Sequence, residues 1–276
     1  MLAESAADFM SAIADNFRDP KRLHLFLAEL IGTALLVLVG LSLVIFMFGP
    51  GSPIAKLIPN EAVRRLITGF LFGSTGALIA ISHVGKISGA HINPAVSLGF
   101  HLMGKLDRDL TAGYIVAQLI GAALGGLPLL AWGSMGRSVA YGATTPGVGF
   151  STIAALAGEV ITTFAMVSLL CVFLGFRSLR HFTPAIFPPL YGVMVWLEAP
   201  ISGTSTNPAR SFGPSMISGV WQGWWIYWVG PMMGMLLAIV ACSALANRIE
   251  VAKLYHFDID HGGLLRRHQR RVAARV

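Results

Sequence analysis

Six long apolar runs leave this chain little choice of solvent: approximately His24 to Phe48, Leu66 to Val84, Leu110 to Gly133, Thr152 to Gly175, Pro184 to Pro200 and Trp224 to Ala246. About 20 apolar residues in a helix cross a hydrocarbon core, and most of these runs reach that length. Of the 276 residues 55% are hydrophobic and only 12% charged, a balance that excludes an ordinary soluble domain. The fifth run is the weakest, because it holds Pro188 and Pro189 and ends at Glu198 beside Pro200. It is counted as a span because six spans return both termini to one side. The first run is too long for a signal-peptide core and lacks a small-residue cleavage site behind it, so it is expected to persist as a helix.

The Lys and Arg residues set the orientation. Arg18, Lys21 and Arg22 precede the first run, Arg177 and Arg180 follow the fourth, and Arg248, Lys253, Arg266, Arg267, Arg270, Arg271 and Arg275 crowd the end of the chain. With six spans these segments share the cytoplasmic side, while the long connection Ser134 to Ser151 carries only Arg137 and suits the outside. Lys56, Arg64 and Arg65 run against this pattern. The net charge of +7 thus reads as a topology signal with some attraction to anionic lipid, in the plasma (inner) membrane. Nucleic-acid binding is not expected, since the basic tail has no interleaved aromatics.

An internal repeat organises the chain. Ala28-Glu29-Leu30-Ile31-Gly32-Thr33 opens the first run and Ala157-Gly158-Glu159-Val160-Ile161-Thr162 the fourth, and Asn-Pro-Ala follows in each half, at Asn93-Pro94-Ala95 and Asn207-Pro208-Ala209. Three spans per half is an odd number, so the second copy inserts upside down, with the working site near midplane. The expected divisions are an N-terminal segment 1–22, a membrane domain 23–246 made of repeats at about 23–133 and 152–246, and a basic cytoplasmic tail 247–276. Phe9, Ile13 and Phe17 lie at helical spacing, so the N-terminal segment reads either as a short interfacial helix or as a frayed end.

Asn is a preferred N-cap and Pro is tolerated at the first helical position, so each motif reads as the start of a helix. Residues 85–104 and 201–219 are too short to span, and are expected to dip in from opposite faces as a loop followed by a half helix. Irregular backbone at membrane depth is allowed only where protein buries it or water solvates it. Carbonyls of Ser88, Gly89, Ala90 and His91 on one side, and of Gly203, Thr204, Ser205 and Thr206 on the other, are expected to line a wet path. There the Asn93 and Asn207 amides add donors and two positive helix ends converge. A water at that point can only accept, which breaks a proton-conducting chain and repels cations.

In Ser88-Gly89-Ala90-His91-Ile92-Asn93-Pro94-Ala95-Val96 and Asn207-Pro208-Ala209-Arg210-Ser211-Phe212-Gly213-Pro214, the chain resembles the aquaporin and glycerol-facilitator family, over nearly all of residues 24–246. The resemblance implies an all-α membrane protein: six tilted transmembrane helices and two re-entrant half helices in an inverted repeat, a pore in each protomer, and a homotetramer. It implies a passive channel for water and small uncharged solutes such as glycerol, urea or metalloid acids, closed to protons and ions, with no enzymatic activity and no cofactor. Cation exclusion by an Arg and by half-helix dipoles is the established mechanism of such pores and enters here with the resemblance.

In the family, Arg210 belongs to a narrow outer filter. An ungapped count back from the motif Asn residues puts Gly73, Val195 and Thr204 at its other three positions. Water-selective members carry Phe and His at the first two, so Gly73 and Val195 imply a wider, less polar constriction. A one-residue helix shift would put Phe72 or Ser74 at the first position, and Phe72 would restore a narrow one. Ser211 and Ser215 stand where glycerol facilitators carry an Asp and a basic residue, and Tyr227-Trp228 looks like the aromatic pair of water channels. Water is the first expected cargo, with small neutral solutes close behind. Thr204 stands where many members carry the Cys responsible for mercury block.

Glu29 and Glu159 read either as a proton relay or as acceptors that pin the re-entrant loops, and the resemblance favours the second. They are the only acids counted as mid-span. A proton-coupled secondary transporter is the competing class, and would need an acid facing the path. His83, His91 and His101 do not share a helix face with an acid partner, so no metal site is expected. Cys171 and Cys242 fall within spans and read as small buried hydrophobes.

Overall fold

A computed structural model describes residues 19–250 and 252–255; the residues forecast as an N-terminal interfacial helix and most of the basic tail lie outside them. The described residues form helices and loops and no strand. The long helices are α1 (Pro20–Phe48), α2 (Glu61–Ile81), α4 (Arg108–Gly126), α5 (Thr152–Gly175), α6 (Thr183–Ser202) and α8 (Ile226–Ala241). Two shorter ones follow the Asn-Pro-Ala loops, α3 (Pro94–Leu102) and α7 (Pro208–Ser218). The helix starts obey local chemistry. Asp19 caps Lys21 N ahead of Pro20, Asn60 caps Ala62 N, Asp107 caps Leu110 N and Ser151 caps Ala154 N.

Two differences from the sequence reading have physical causes. Among the described residues five helices are long and apolar enough to cross a membrane, whereas α8 has 16 residues. It breaks at Cys242 and resumes as Ser243–Ala246. The third run also leaves α-geometry early, continuing as a 3-10 segment over Leu127–Trp132 after Gly125-Gly126 and before Gly133 at φ 56°. The doubtful fifth run is one unbroken helix despite Pro188, Pro189 and Pro200.

Side chains sort by face as a membrane requires. On α1, Leu27, Ile31, Leu35 and Val39 recur every four residues and are exposed, while Leu25, Glu29, Leu36, Val37 and Leu41 are buried. Hydrocarbon supplies no driving force between helices, so contacts rely on small residues that bring backbones together. A Cβ at Gly121 or Gly125 of α4 would strike the carbonyls of Leu30 or Ala34 on α1, and one at Gly234 of α8 would strike the Val160 carbonyl on α5. Likewise Gly69 and Gly73 of α2 lie against the Tyr191 and Phe187 carbonyls of α6.

Candidate functional site

The two re-entrant loops share one backbone pattern. In Gly89-Ala90-His91-Ile92, residues one, two and four have positive φ (94°, 53° and 41°); in Gly203-Thr204-Ser205-Thr206 the same positions read 90°, 51° and 53°. Left-handed backbone is costly for residues with a Cβ and most of all for β-branched ones, so Ile92, Thr204 and Thr206 need outside support. A tight turn of this kind directs successive backbone N–H groups toward one point, a nest for an anion. In the first loop that anion is Glu29, which accepts from His91 N at 2.9 Å and Ile92 N at 2.6 Å. In the second it is Glu159, which accepts from Ser205 N at 2.7 Å and Thr206 N at 2.8 Å. Both carboxylates are fully buried. Each loop is further tied by a tyrosine that the sequence reading did not assign: Tyr114 Oη donates to the Ser88 carbonyl and Tyr227 Oη to the Ser202 carbonyl.

The loops meet through the motif asparagines. Asn93 Oδ1 caps Ala95 N, and Asn207 Oδ1 caps Ala209 N and Arg210 N. Asn93 Nδ2 donates to the Thr206 carbonyl at 2.9 Å and Asn207 Nδ2 to the Ile92 carbonyl at 2.8 Å. The acceptor oxygen of each amide is therefore spent on its helix and one N–H on the opposite loop, leaving a second N–H. Pro94 and Pro208 occupy first helical positions where no N–H is needed, and Ala95 and Ala209 are wholly buried.

Not every forecast path carbonyl is free. Ser88 O is held by Tyr114, Gly89 O accepts from Leu254 N at 2.9 Å, and Thr206 O accepts from Asn93. His91 is buried, its Nδ1 3.1 Å from Ser97 Oγ and its Nε2 3.2 Å from the Ala252 carbonyl. Ser205 Oγ donates to the Asn207 carbonyl and lies 2.5 Å from Ser211 Oγ.

Two chambers lie along the re-entrant loops, and the asparagine pair lines the second. The first, with an open volume of about 240 Å³, is lined by Phe72, Tyr191, Val195, Gly203, Thr204 and Arg210, with Glu61 and Arg65 at its rim. Arg210 is 6% exposed, and its Nη1 donates to the Gly142 carbonyl at 2.7 Å. Gly142 is in the left-handed region at φ 78°, so the third connection reaches in to meet the guanidinium. The guanidinium carbon lies 5.8 Å from the Phe72 ring centroid, and Phe72 stacks on Tyr191 at 5.9 Å. The second chamber, about 40 Å³, is lined by Gly73, Gly76, His91, Asn93, Val96, Asn207 and Leu254.

Val195, Thr204 and Arg210 thus come together and Gly73 does not join them: it abuts the Phe187 carbonyl and opens on the smaller chamber, while Phe72 fills its expected place. The backward count from Asn93 crosses Ser82, where α2 ends and a separate turn of helix, His83–Ser88, begins. That break interrupts the ungapped helical count. Composition offers no sign of it, although Ser82 as a cap for Gly85 N is the kind of residue that marks a new start. The sequence reading also passed over Glu198 as a mid-span acid: it is 7% exposed and accepts the Thr204 hydroxyl.

A ring of long helices around two facing half helices, with a buried arginine on one side of a donor pair, defines a transmembrane channel. The sequence profile described as "Major intrinsic protein" matches residues 16–241. Aquaporin TIP4-4 of Zea mays is 34% identical over 218 residues, covering 77% of this chain and 82% of that one. Aquaporin TIP2-3 of Arabidopsis thaliana is 31% identical over 234 residues, 83% of this chain and 89% of the relative. The X-ray structure of the aquaglyceroporin from Plasmodium falciparum superposes with a TM-score of 0.63 at 21% identity, over 81% of this chain and 95% of that one, and shows the shared fold. The chain belongs to the major intrinsic protein family, and it is a passive channel and not an enzyme.

Proposed function

We propose that the chain conducts water and small uncharged solutes such as urea, glycerol or metalloid acids, and excludes protons and ions at two places. The first is the pair of Asn93 and Asn207, whose remaining N–H groups face a passing water while their oxygens stay on the helix starts. A water there accepts from both sides and cannot relay a proton, and the two half-helix N-termini disfavour cations. The second is a filter of Phe72, Val195, Thr204 and Arg210, with Phe72 in place of Gly73. The observation that carries this reading is the ring of Phe72 beside the Arg210 guanidinium in the larger chamber. A charged side chain at membrane depth marks a solute path by default.

An aromatic wall, an aliphatic wall and two polar groups make a filter narrower than a glycine there would give, yet Val195 leaves one side apolar. Water remains the first cargo, and planar or small solutes with polar and apolar edges follow. The experiment is stopped-flow light scattering on proteoliposomes: re-swelling in urea and in glycerol after shrinkage in an impermeant osmolyte. Re-swelling above empty vesicles in urea supports the solute half of the proposal, and fast water-driven shrinkage with no re-swelling in either solute overturns it.

The same proposal places the chain in the plasma (inner) membrane, with both termini cytoplasmic, as a homotetramer. The Lys and Arg bias supports the orientation, and family membership supports the assembly. Cross-linking in native membranes tests the tetramer, and protease access to the tail tests the orientation.

A further inference from the structure

Glu198 sits on α6 one turn beyond Val195, and no motif accounts for it. Its Oε2 accepts the Thr204 hydroxyl at 2.5 Å. Its Oε1 has no hydrogen-bond partner among the described residues and faces Gly158, where a Cβ would collide with it. The other acceptor near Thr204 Oγ1 is the Met194 carbonyl at 3.5 Å. A threonine hydroxyl carries one hydrogen and two lone pairs. A short bond to a carboxylate outcompetes a long one to a carbonyl, so that hydrogen is committed to Glu198. Thr204 then offers the chamber lone pairs alone, while Arg210 in the same chamber offers N–H donors alone.

We propose that Glu198 is a positioning residue of the filter: by taking the Thr204 hydrogen it fixes Thr204 as an acceptor beside the Arg210 donors. The chamber then favours a neutral solute that presents donor and acceptor side by side, a hydroxyl or an amide group. This inference rests on the channel reading above and names what the filter selects for. An amide at position 198 can turn its NH2 to Thr204, which releases the hydroxyl hydrogen toward the chamber and removes the fixed polarity.

The test is a four-channel cycle of wild type, Glu198→Gln, Thr204→Val and the double variant, all reconstituted at equal density, with water permeability and urea permeability read on the same vesicles. With Thr204 present, Glu198→Gln is expected to lower the urea-to-water ratio by about fivefold, the weight of one hydrogen bond. In the Thr204→Val background the same change is expected to do nothing. If the wild type passes water alone, the solute half of the proposed function fails by itself, and the cycle is read on water permeability with the same expectation. A Glu198→Gln effect that persists without Thr204, or no effect in either background when the cycle is repeated in channels carrying Leu254→Gly, overturns the positioning role.

A separate observation carries a second inference. Residues 252–255 lie against the first re-entrant loop and bring Leu254 to the wall of the smaller chamber. Leu254 lines that chamber with Asn93 and Asn207, its N–H bonds the Gly89 carbonyl, and the Ala252 carbonyl lies on His91 Nε2. Lys253 is fully buried, with Nζ 3.4 Å from the Lys86 carbonyl. A carbonyl needed to solvate a water file is thus held by protein. The base of the segment is tied by Arg180 to Glu250 at 3.0 Å and to the Arg248 carbonyl.

We infer that this segment is an autoinhibitory plug, and that the channel conducts when Leu254 withdraws. Full-length Leu254→Asp and Leu254→Gly are compared with wild type in osmotic shrinkage at matched channel density. The aspartate is disfavoured at that wall and the glycine leaves space, so both are expected to raise water permeability several-fold. Wild-type permeability in whichever variant reconstitutes as folded protein overturns the plug, and glycine guards against misfolding of the charged variant.

Discussion

The two re-entrant loops are built alike and used differently. Each wraps a nest around a buried carboxylate, each is pinned by a tyrosine and each sends an asparagine to the other. Where they differ, the second loop places Thr204 and Arg210 in the larger chamber, while Ala90 and Val96 stand at the matching positions of the first. The first loop has its outer carbonyl covered by Leu254, and the second is backed by a second carboxylate, Glu198. Duplicated chemistry holds the backbone at membrane depth, and the unduplicated residues decide what passes.

Removing the shared support tests the likeness first and has the largest effect. Glu29→Ala or Glu159→Ala strands two buried loop N–H groups and a further donor, Gln118 Nε2 or Ser202 Oγ, each costing about 1–3 kcal/mol. Both variants are expected to lose several kcal/mol of stability to a similar extent in thermal unfolding in detergent. A large loss for one and none for the other would break the comparison. Glu29→Gln keeps one acceptor oxygen and is expected to cost about half as much.

The unlike positions come next. Arg210→Val makes the second motif read like the first, Asn-Pro-Ala-Val, and removes a buried cation from the wall of the larger chamber. Proton leakage through vesicles loaded with a pH indicator is expected to rise by about tenfold or more while water flux persists, since a charge in a low-dielectric site contributes well over 1 kcal/mol. Unchanged proton exclusion would assign all of it to the asparagine pair. Phe72→Ala is expected to raise glycerol permeability several-fold with little loss of stability beyond its cavity. Gly73→Ala instead meets the Phe187 carbonyl and is expected to destabilise the packing of α2 on α6 without altering selectivity. The smallest effect concerns Thr204. Mercury block of the wild type is expected to be weak, because the two cysteines are Cys171, which is buried, and Cys242, which lies past the end of α8. Thr204→Cys is expected to create strong block, and block already strong in the wild type but lost on removing Cys171 and Cys242 would locate it away from the filter.

Much of this was legible in residue order. The apolar runs gave the helices, the α5 limits matched Thr152 to Gly175, and the two Asn-Pro-Ala motifs with their distant glutamates gave the loop supports, because each rests on chemistry local to a short segment. The filter was harder. Gly73 was reached by counting through Ser82, where one helix stops and another begins, and a single residue of phase exchanges a glycine for a phenylalanine. Glu198 read as a blemish on a weak span because its partner, Thr204, lies across a left-handed turn at Gly203. The tail read as a charge run, and nothing in its composition tells that Leu254 seats beside the asparagines. The first two turn on local breaks in the chain, at Ser82 and at Gly203, and the third on a contact between segments far apart in sequence.

The central claim is a passive, proton-tight pore, and osmotic shrinkage of proteoliposomes measured together with proton flux tests it most directly, with Leu254→Asp run beside the wild type so that a seated plug is not mistaken for a sealed protein. The account predicts water permeability well above empty vesicles in at least the Leu254→Asp channel, linear in the osmotic gradient, with proton flux at the level of empty vesicles. Water permeability at background in both channels, or solute uptake that saturates and follows a proton gradient, would contradict it.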